Sequence, residues 1–135
     1  MVQINIAYEN DLHCAAVHGP SGARIATDAP VDNQGRGESF SPTDLVATAL
    51  GACMATIMGI YARRQNIDLR PMTVRVDKTM ADDPRRIAKL AVEFHMPKNL
   101  TDRHRTSLER AARECPVHHS IHPGIDTPIV FLYDT

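Results

Sequence analysis

The sequence predicts an α+β fold with a mostly antiparallel sheet, in the order βββ–α–ββ–α–β. Three observations predict it. Three short, partly alternating stretches open the chain, "VQINIAYE", "LHCAAVHG" and "GARIATDAP", separated by "EN" and "GPSG". An uncharged run with apolar residues at helical spacing follows, from Leu45 to Ala62. Then come two further extended stretches, an amphipathic helix and a last strand. Strands arriving in groups, rather than singly between helices, argue against a parallel sheet. At 135 residues, one domain covering 1–135 is expected.

Each element has its own signal. The first three stretches read as an antiparallel meander, because polar turn residues separate short alternating runs. "VDNQGRGESF" is Gly-rich and polar, hence a loop. "SPTD" announces a helix, with Ser41 as N-cap, Pro42 at the first helical position and Asp44 in the first turn. Apolar residues at 45, 46, 49, 50, 53, 54, 57, 58 and 61 form a wide stripe, and the helix is expected to end near Gln65 to Asn66. "MTVRVDKTM" alternates with period two and "RRIAKLAVEFHMP" less cleanly, joined by a hairpin at "ADDPRR". Thr101 caps a second helix whose apolar face carries Leu108, Ala111, Ala112 and Cys115. "PVHHSIHPGIDT" reads as irregular with room for one helical turn, Asp126 and Thr127 as a turn, and "PIVFLYDT" as the final strand.

Composition narrows the function classes. A net charge of −1 argues against a nucleic-acid surface, which needs clustered excess positive charge. Aromatic content is only 4%, without Trp, so the core must be aliphatic and Met-rich, and a small domain of this kind gains burial by dimerising. Three cysteines, an odd number, do not suggest a disulfide framework. The start shows no basic-then-apolar leader, so a cytoplasmic, reducing location is expected. The uncharged run from Leu45 to Ala62 reaches the lower length limit for a membrane span. Its Thr, Gly and Ala content instead points to low hydrophobicity and a buried helix of a soluble protein, with no membrane partner.

The chemistry-bearing residues are thiols and imidazoles. Cys53 lies mid-helix among Gly51, Ala52 and Ala55. It reads either as a small core residue or as a thiol activated by a nearby cation. Cys115 starts "CPVHH", and the following proline forces it out of the helical region, to a helix end at an exposed bend. The imidazoles of His118 and His119 could favour its thiolate. A second reading makes Cys115, His118, His119 and His122 metal ligands, although Pro116 and Pro123 break the spacing and no CxxC or HExxH occurs. No metal is the preferred expectation. Cys14 reads as strand packing, and His104 as lying on the exposed face of the second helix.

"SPTDLVATALGAC" followed by "AARECPVHHSI" resembles the OsmC/Ohr superfamily over nearly the whole chain. The resemblance implies an intertwined homodimer built around long central helices, with sites at the dimer interface. It implies a thiol peroxidase that reduces organic hydroperoxides. By position, Cys53 matches the peroxidatic cysteine and Cys115 the resolving one. No bound cofactor is implied, only an external dithiol or lipoyl-type reductant. The peroxidases of the family carry Glu where this chain has Thr43, with the acid one residue later at Asp44. Glu38 is another candidate for that carboxylate. For the arginine that favours the thiolate, Arg24 is the nearest match and Arg36 the next. These departures support an alternative, an OsmC-fold dimer that binds a small apolar or electrophilic ligand with little peroxidase turnover.

Overall fold

The computed structural model describes residues 1–135 as two compact units, Met1–Val46 and Ala47–Thr135. In the N-terminal unit, β1 (Ile4–Tyr8), β2 (His13–His18) and β3 (Arg24–Asp28) form an antiparallel sheet in the order β1-β2-β3. The β1–β2 turn uses three successive left-handed residues, Asn10, Asp11 and Leu12, and Arg36 bonds Asp11 at 2.8 Å. His13 faces Asp28 across the β2–β3 ladder and its Nδ1 lies 2.6 Å from that buried carboxylate. The alternate residues Ile4, Ile6 and Tyr8 on one face of β1 are all exposed. The expected Gly-rich loop is present, with one short 3-10 turn at Val31–Asn33.

Helix α1 (Pro42–Arg64) begins where "SPTD" placed it. Ser41 Oγ accepts from the Asp44 amide at 3.1 Å, and the Asp44 carboxylate accepts from the Ser41 amide at 2.8 Å. This reciprocal pair satisfies two of the amides that a helix start leaves without partners.

The C-terminal unit holds the aliphatic core. Strand β4 (Thr73–Ala81) pairs antiparallel with β5 (Arg86–His95), and β6 (Ile129–Leu132) pairs parallel with β5. A bulge near Thr79 and Met80 explains the poorly phased pattern of β5. It adds a residue to one strand, so Ile87 and Leu90 both point inward, followed by Val92 and Phe94 in normal alternation. Phe94 stacks on Phe131, ring centroids 5.0 Å apart. Leu50, Met54, Met58, Leu90, Phe94, Met96 and Leu108 are completely buried, each contributing about 1.5–3 kcal/mol relative to exposure.

Helix α1 crosses β4 at Gly51, where an added Cβ would meet Val76 Cγ2 at 2.9 Å. Its buried stripe is Ala47, Leu50, Gly51, Met54, Met58 and Ala62. The expectation of a buried, weakly hydrophobic helix needs correcting on both counts. Leu, Ile, Met and Val outweigh the threonines and glycines, so α1 is long and apolar enough to cross a membrane by length and composition. Only a third of its most apolar stretch is buried. Ala49, Ala52, Thr56 and Ile60 lie open on the other side.

Thr101 caps α2 (Asp102–Arg113) by accepting from the His104 amide at 3.2 Å. His104 is not on an open face: it is half-buried, with Nδ1 3.3 Å from the Tyr61 hydroxyl of α1. Arg105 lies over the Tyr133 ring, and the Tyr133 hydroxyl donates to Glu109 at 2.8 Å. The expected helical turn in the last irregular segment is α3 (Pro116–Ser120).

Candidate active site

Leu108, Ala112 and Cys115 continue one face of α2, and all three are completely buried. Cys115 therefore does not sit at an exposed bend. Proline after it ends the helix, as the sequence suggested: Cys115 is extended, with φ −66° and ψ 126°. That backbone turns the side chain inward, where it caps α3. Its Sγ accepts the His118 amide N–H at 3.4 Å.

Cys53 comes to this sulfur from the middle of α1. Cys53 is the side-chain neighbour that acts on the Cys115 thiol, and both thiols are free. Cys53 is partly exposed, whereas Cys115 is fully enclosed. Burial pushes the Cys115 thiol above its ordinary value, the neighbouring Cys53 side chain adds to this, and the His118 amide opposes it. Cys115 is thus held protonated beside a more accessible sulfur. Cys14 is half-buried on β2, opposite Tyr8 and Thr27.

The imidazoles do different work from that expected. The backbone of His118, not its ring, contacts Cys115. The ring Nε2 lies 3.0 Å from Thr127 Oγ1. His119 faces Glu114 at 3.5 Å, and His122 Nδ1 accepts the Gly124 amide at 2.8 Å. No three His, Cys, Asp or Glu side chains are grouped to hold a metal ion. Asp126 and Thr127 are more than a turn. Asp126 extends the parallel pairing to β5 at Lys89, and Thr127 presents its hydroxyl to His118. Nothing in the local sequence signals that link, because it joins residues from the two ends of an irregular segment.

The remaining site candidates lie in the N-terminal unit. Arg24 begins β3, exposed and without an ion pair in the chain. Glu38 is exposed in the loop, and Arg36 is engaged by Asp11. The Asp44 carboxylate bonds the Ser41 amide, and Thr43 Oγ1 is 3.2 Å from Ser41 Oγ.

Fold and thiol pair together define a class. Residues 35–129 match the OsmC-like protein family, and the chain belongs to it, within the OsmC/Ohr superfamily. A protein of Psychrobacter arcticus 273-4, provisionally described as an osmotic stress induced and detoxification response protein, is 44% identical. That match covers 97% of this chain and 96% of the other, with a TM-score of 0.92. The organic hydroperoxide resistance protein OsmC of Legionella pneumophila shares the fold at 17% identity, with 98% and 96% coverage and a TM-score of 0.78. An organic hydroperoxide resistance protein of Elizabethkingia anophelis does so at 12% identity, with 99% and 96% coverage and a TM-score of 0.78. Among curated proteins the search found no match.

Proposed function

We propose that this protein is a thiol-dependent peroxidase that reduces organic hydroperoxides. The observation that carries the reading is the juxtaposition of an accessible Cys53 with a buried, protonated Cys115. The Cys53 thiolate attacks the distal hydroperoxide oxygen. The O–O bond breaks, the alcohol leaves with a proton, and Cys53 becomes a sulfenic acid. Cys115 then attacks the Cys53 sulfur, water leaves, and a disulfide joins them. An external dithiol, of lipoyl or similar type, reduces the disulfide by exchange. Arg24, with Glu38 or Asp44, is the proposed source of the charge that favours the Cys53 thiolate. No resident metal or cofactor enters this cycle, and the proposed location is the cytoplasm.

The working form is proposed as a homodimer in which the chain acts as one OsmC-like domain. Two apolar surfaces support this: Ile4, Ile6 and Tyr8 on β1, and the open side of α1 at Ala49, Ala52 and Ile60. Cys53 lies at helical spacing from Ala49 and Ile60, so a second copy seated there would also shield the reactive sulfur.

A second reading has one observation in its favour. Asp44, the acid nearest the position where related peroxidases carry Glu, already bonds the Ser41 amide. In that reading the protein binds a small apolar or electrophilic ligand and turns over little. Titrating free thiols before and after one equivalent of cumene hydroperoxide, with mass mapping, decides between them. Rapid formation of Cys53–Cys115 with Cys14 left free is the expected result. Unchanged thiols after several minutes would sink the peroxidase in favour of ligand binding.

A further inference from the structure

A disulfide between Cys53 and Cys115 could be opened at either sulfur. Thiol–disulfide exchange forms a bond to one sulfur and expels the other as a thiolate, so the two ends are alternatives. Two factors set the choice: which sulfur can be reached, and which leaves more readily. Here they oppose each other. Reach favours Cys53, which is partly exposed on α1 with Ala49, Ala52 and Thr56 open on the same helix. Cys115 has a relative exposure of 0%. Its own chain covers it, so a second copy docking on this chain could only add to that cover.

Leaving-group ability argues the other way. Burial makes a Cys115 thiolate costly, and a less acidic thiol is expelled more slowly. The start of α3 reduces that handicap. Cys115 Sγ accepts the His118 amide N–H at 3.4 Å, and the Val117 amide also favours its thiolate. A hydrogen bond to an anion is stronger than one to a neutral group, so this contact tightens as the sulfur takes up the electron pair. Reach then decides. A poor leaving group only scales a rate, whereas a fully covered atom gives the entering sulfur no approach.

We propose that the reducing dithiol enters at Cys53 and expels Cys115 onto the backbone amides of α3. The inference rests on reading Cys53 and Cys115 as a disulfide-forming pair. One thiolate of the dithiol gives its electron pair to Cys53 Sγ, and the Cys53–Cys115 bond breaks with its pair on Cys115. The Cys115 thiolate keeps the His118 N–H and then takes up a proton, replacing the one the dithiol released. The second thiol of the dithiol attacks its partner sulfur in the mixed disulfide. Cys53 leaves as a thiolate, and the reductant departs as a disulfide. Two electrons and two protons pass from dithiol to protein, and Cys115 is never joined to the reductant.

The test avoids hydroperoxide altogether. In a Cys14→Ser background, diamide closes the Cys53–Cys115 disulfide. Excess 2-mercaptoethanol, a monothiol that cannot cyclise away, then opens it. Acid quenching at early times, unfolding and N-ethylmaleimide labelling mark the freed sulfur, and peptide mass mapping locates both groups. Mercaptoethanol is expected on Cys53 with maleimide on Cys115, at least about tenfold above the reverse pattern. A second measurement compares single thiols in the reduced protein. Cys53 in Cys115→Ser should react with 5,5′-dithiobis(2-nitrobenzoate) about a hundredfold faster than Cys115 in Cys53→Ser. Mercaptoethanol mainly on Cys115, or equal labelling of the two sulfurs, would overturn the proposal. So would equal reaction of the two single thiols, or failure of diamide to join the pair. Protein inert to hydroperoxide whose diamide-formed disulfide still opens at Cys53 would refute the peroxidase and uphold this order of attack.

Discussion

Cys53 and Cys115 carry the same side chain into opposite surroundings. Cys53 projects from the middle of a long helix, partly open, among residues too small to enclose it. Cys115 sits at a chain bend, fully covered, capping the next helix with its own sulfur. The difference teaches that reactivity here is assigned by burial and backbone, not by residue type. Enclosure holds Cys115 as a thiol, and access leaves Cys53 to meet an external reagent. Cys14, by contrast, is half-buried on a strand, opposite Tyr8 and Thr27.

The largest test of this contrast is to remove each thiol in turn. Cys53→Ser should lose hydroperoxide reduction by about a thousandfold or more in a dithiol-coupled assay, because the remaining thiol of the pair, Cys115, is enclosed. Cys115→Ser should still consume one equivalent of hydroperoxide and accumulate a sulfenic acid at Cys53 that dimedone traps. Equal residual turnover in the two variants would erase the distinction between them.

A middle-sized effect comes from the open side of α1. Ile60 is 45% exposed, so Ile60→Glu should leave the fold of the chain intact. In the proposed homodimer it would bury an unpaired charge and weaken association by about 2 kcal/mol, near thirtyfold, by sedimentation. Iodoacetamide should then reach Cys53 faster while Cys115 stays protected. An unaltered oligomeric state would show that some other surface covers Cys53.

The smallest effect is in pH. Burial, followed by the neighbouring Cys53 side chain, raises the Cys115 thiol above its ordinary value of 9.0. The folded state therefore holds this proton more tightly than the unfolded chain. The matching stability is fully present below the ordinary thiol value and is lost as pH rises through the raised one. Melting temperature should fall more steeply across alkaline pH in the parent than in Cys115→Ala, each measured in the presence of dithiol. Parallel curves would mean that Cys115 titrates like an exposed thiol.

Much of this architecture was legible in the chain because its signals are local. Ser41, Pro42 and Asp44 mark a helix start through atoms three residues apart, and the capping pair forms as that spacing implies. Pro116 dictates an extended Cys115, and the strand groups follow from alternation. The phase of β5 was obscured by a bulge, which depends on the partner strand. The exposed bend expected at Cys115 was wrong because the proline sets the backbone but not what covers it. His118 was read as a neighbour of Cys115 by its ring, whereas its amide makes the contact and its ring reaches Thr127.

The sequence by itself determined the grouping of strands and helices, the caps and bends, and the family motifs that single out Cys53 and Cys115. Periodicity and turn chemistry act over a few residues, and so they can be read without coordinates. Only the tertiary structure decided that Cys53 neighbours Cys115, that one is sealed and the other open, and that the His118 ring turns to Thr127 while its amide holds the sulfur. Those outcomes depend on packing among α1, the α2–α3 bend and the β5–β6 pairing, which no short stretch of chain encodes.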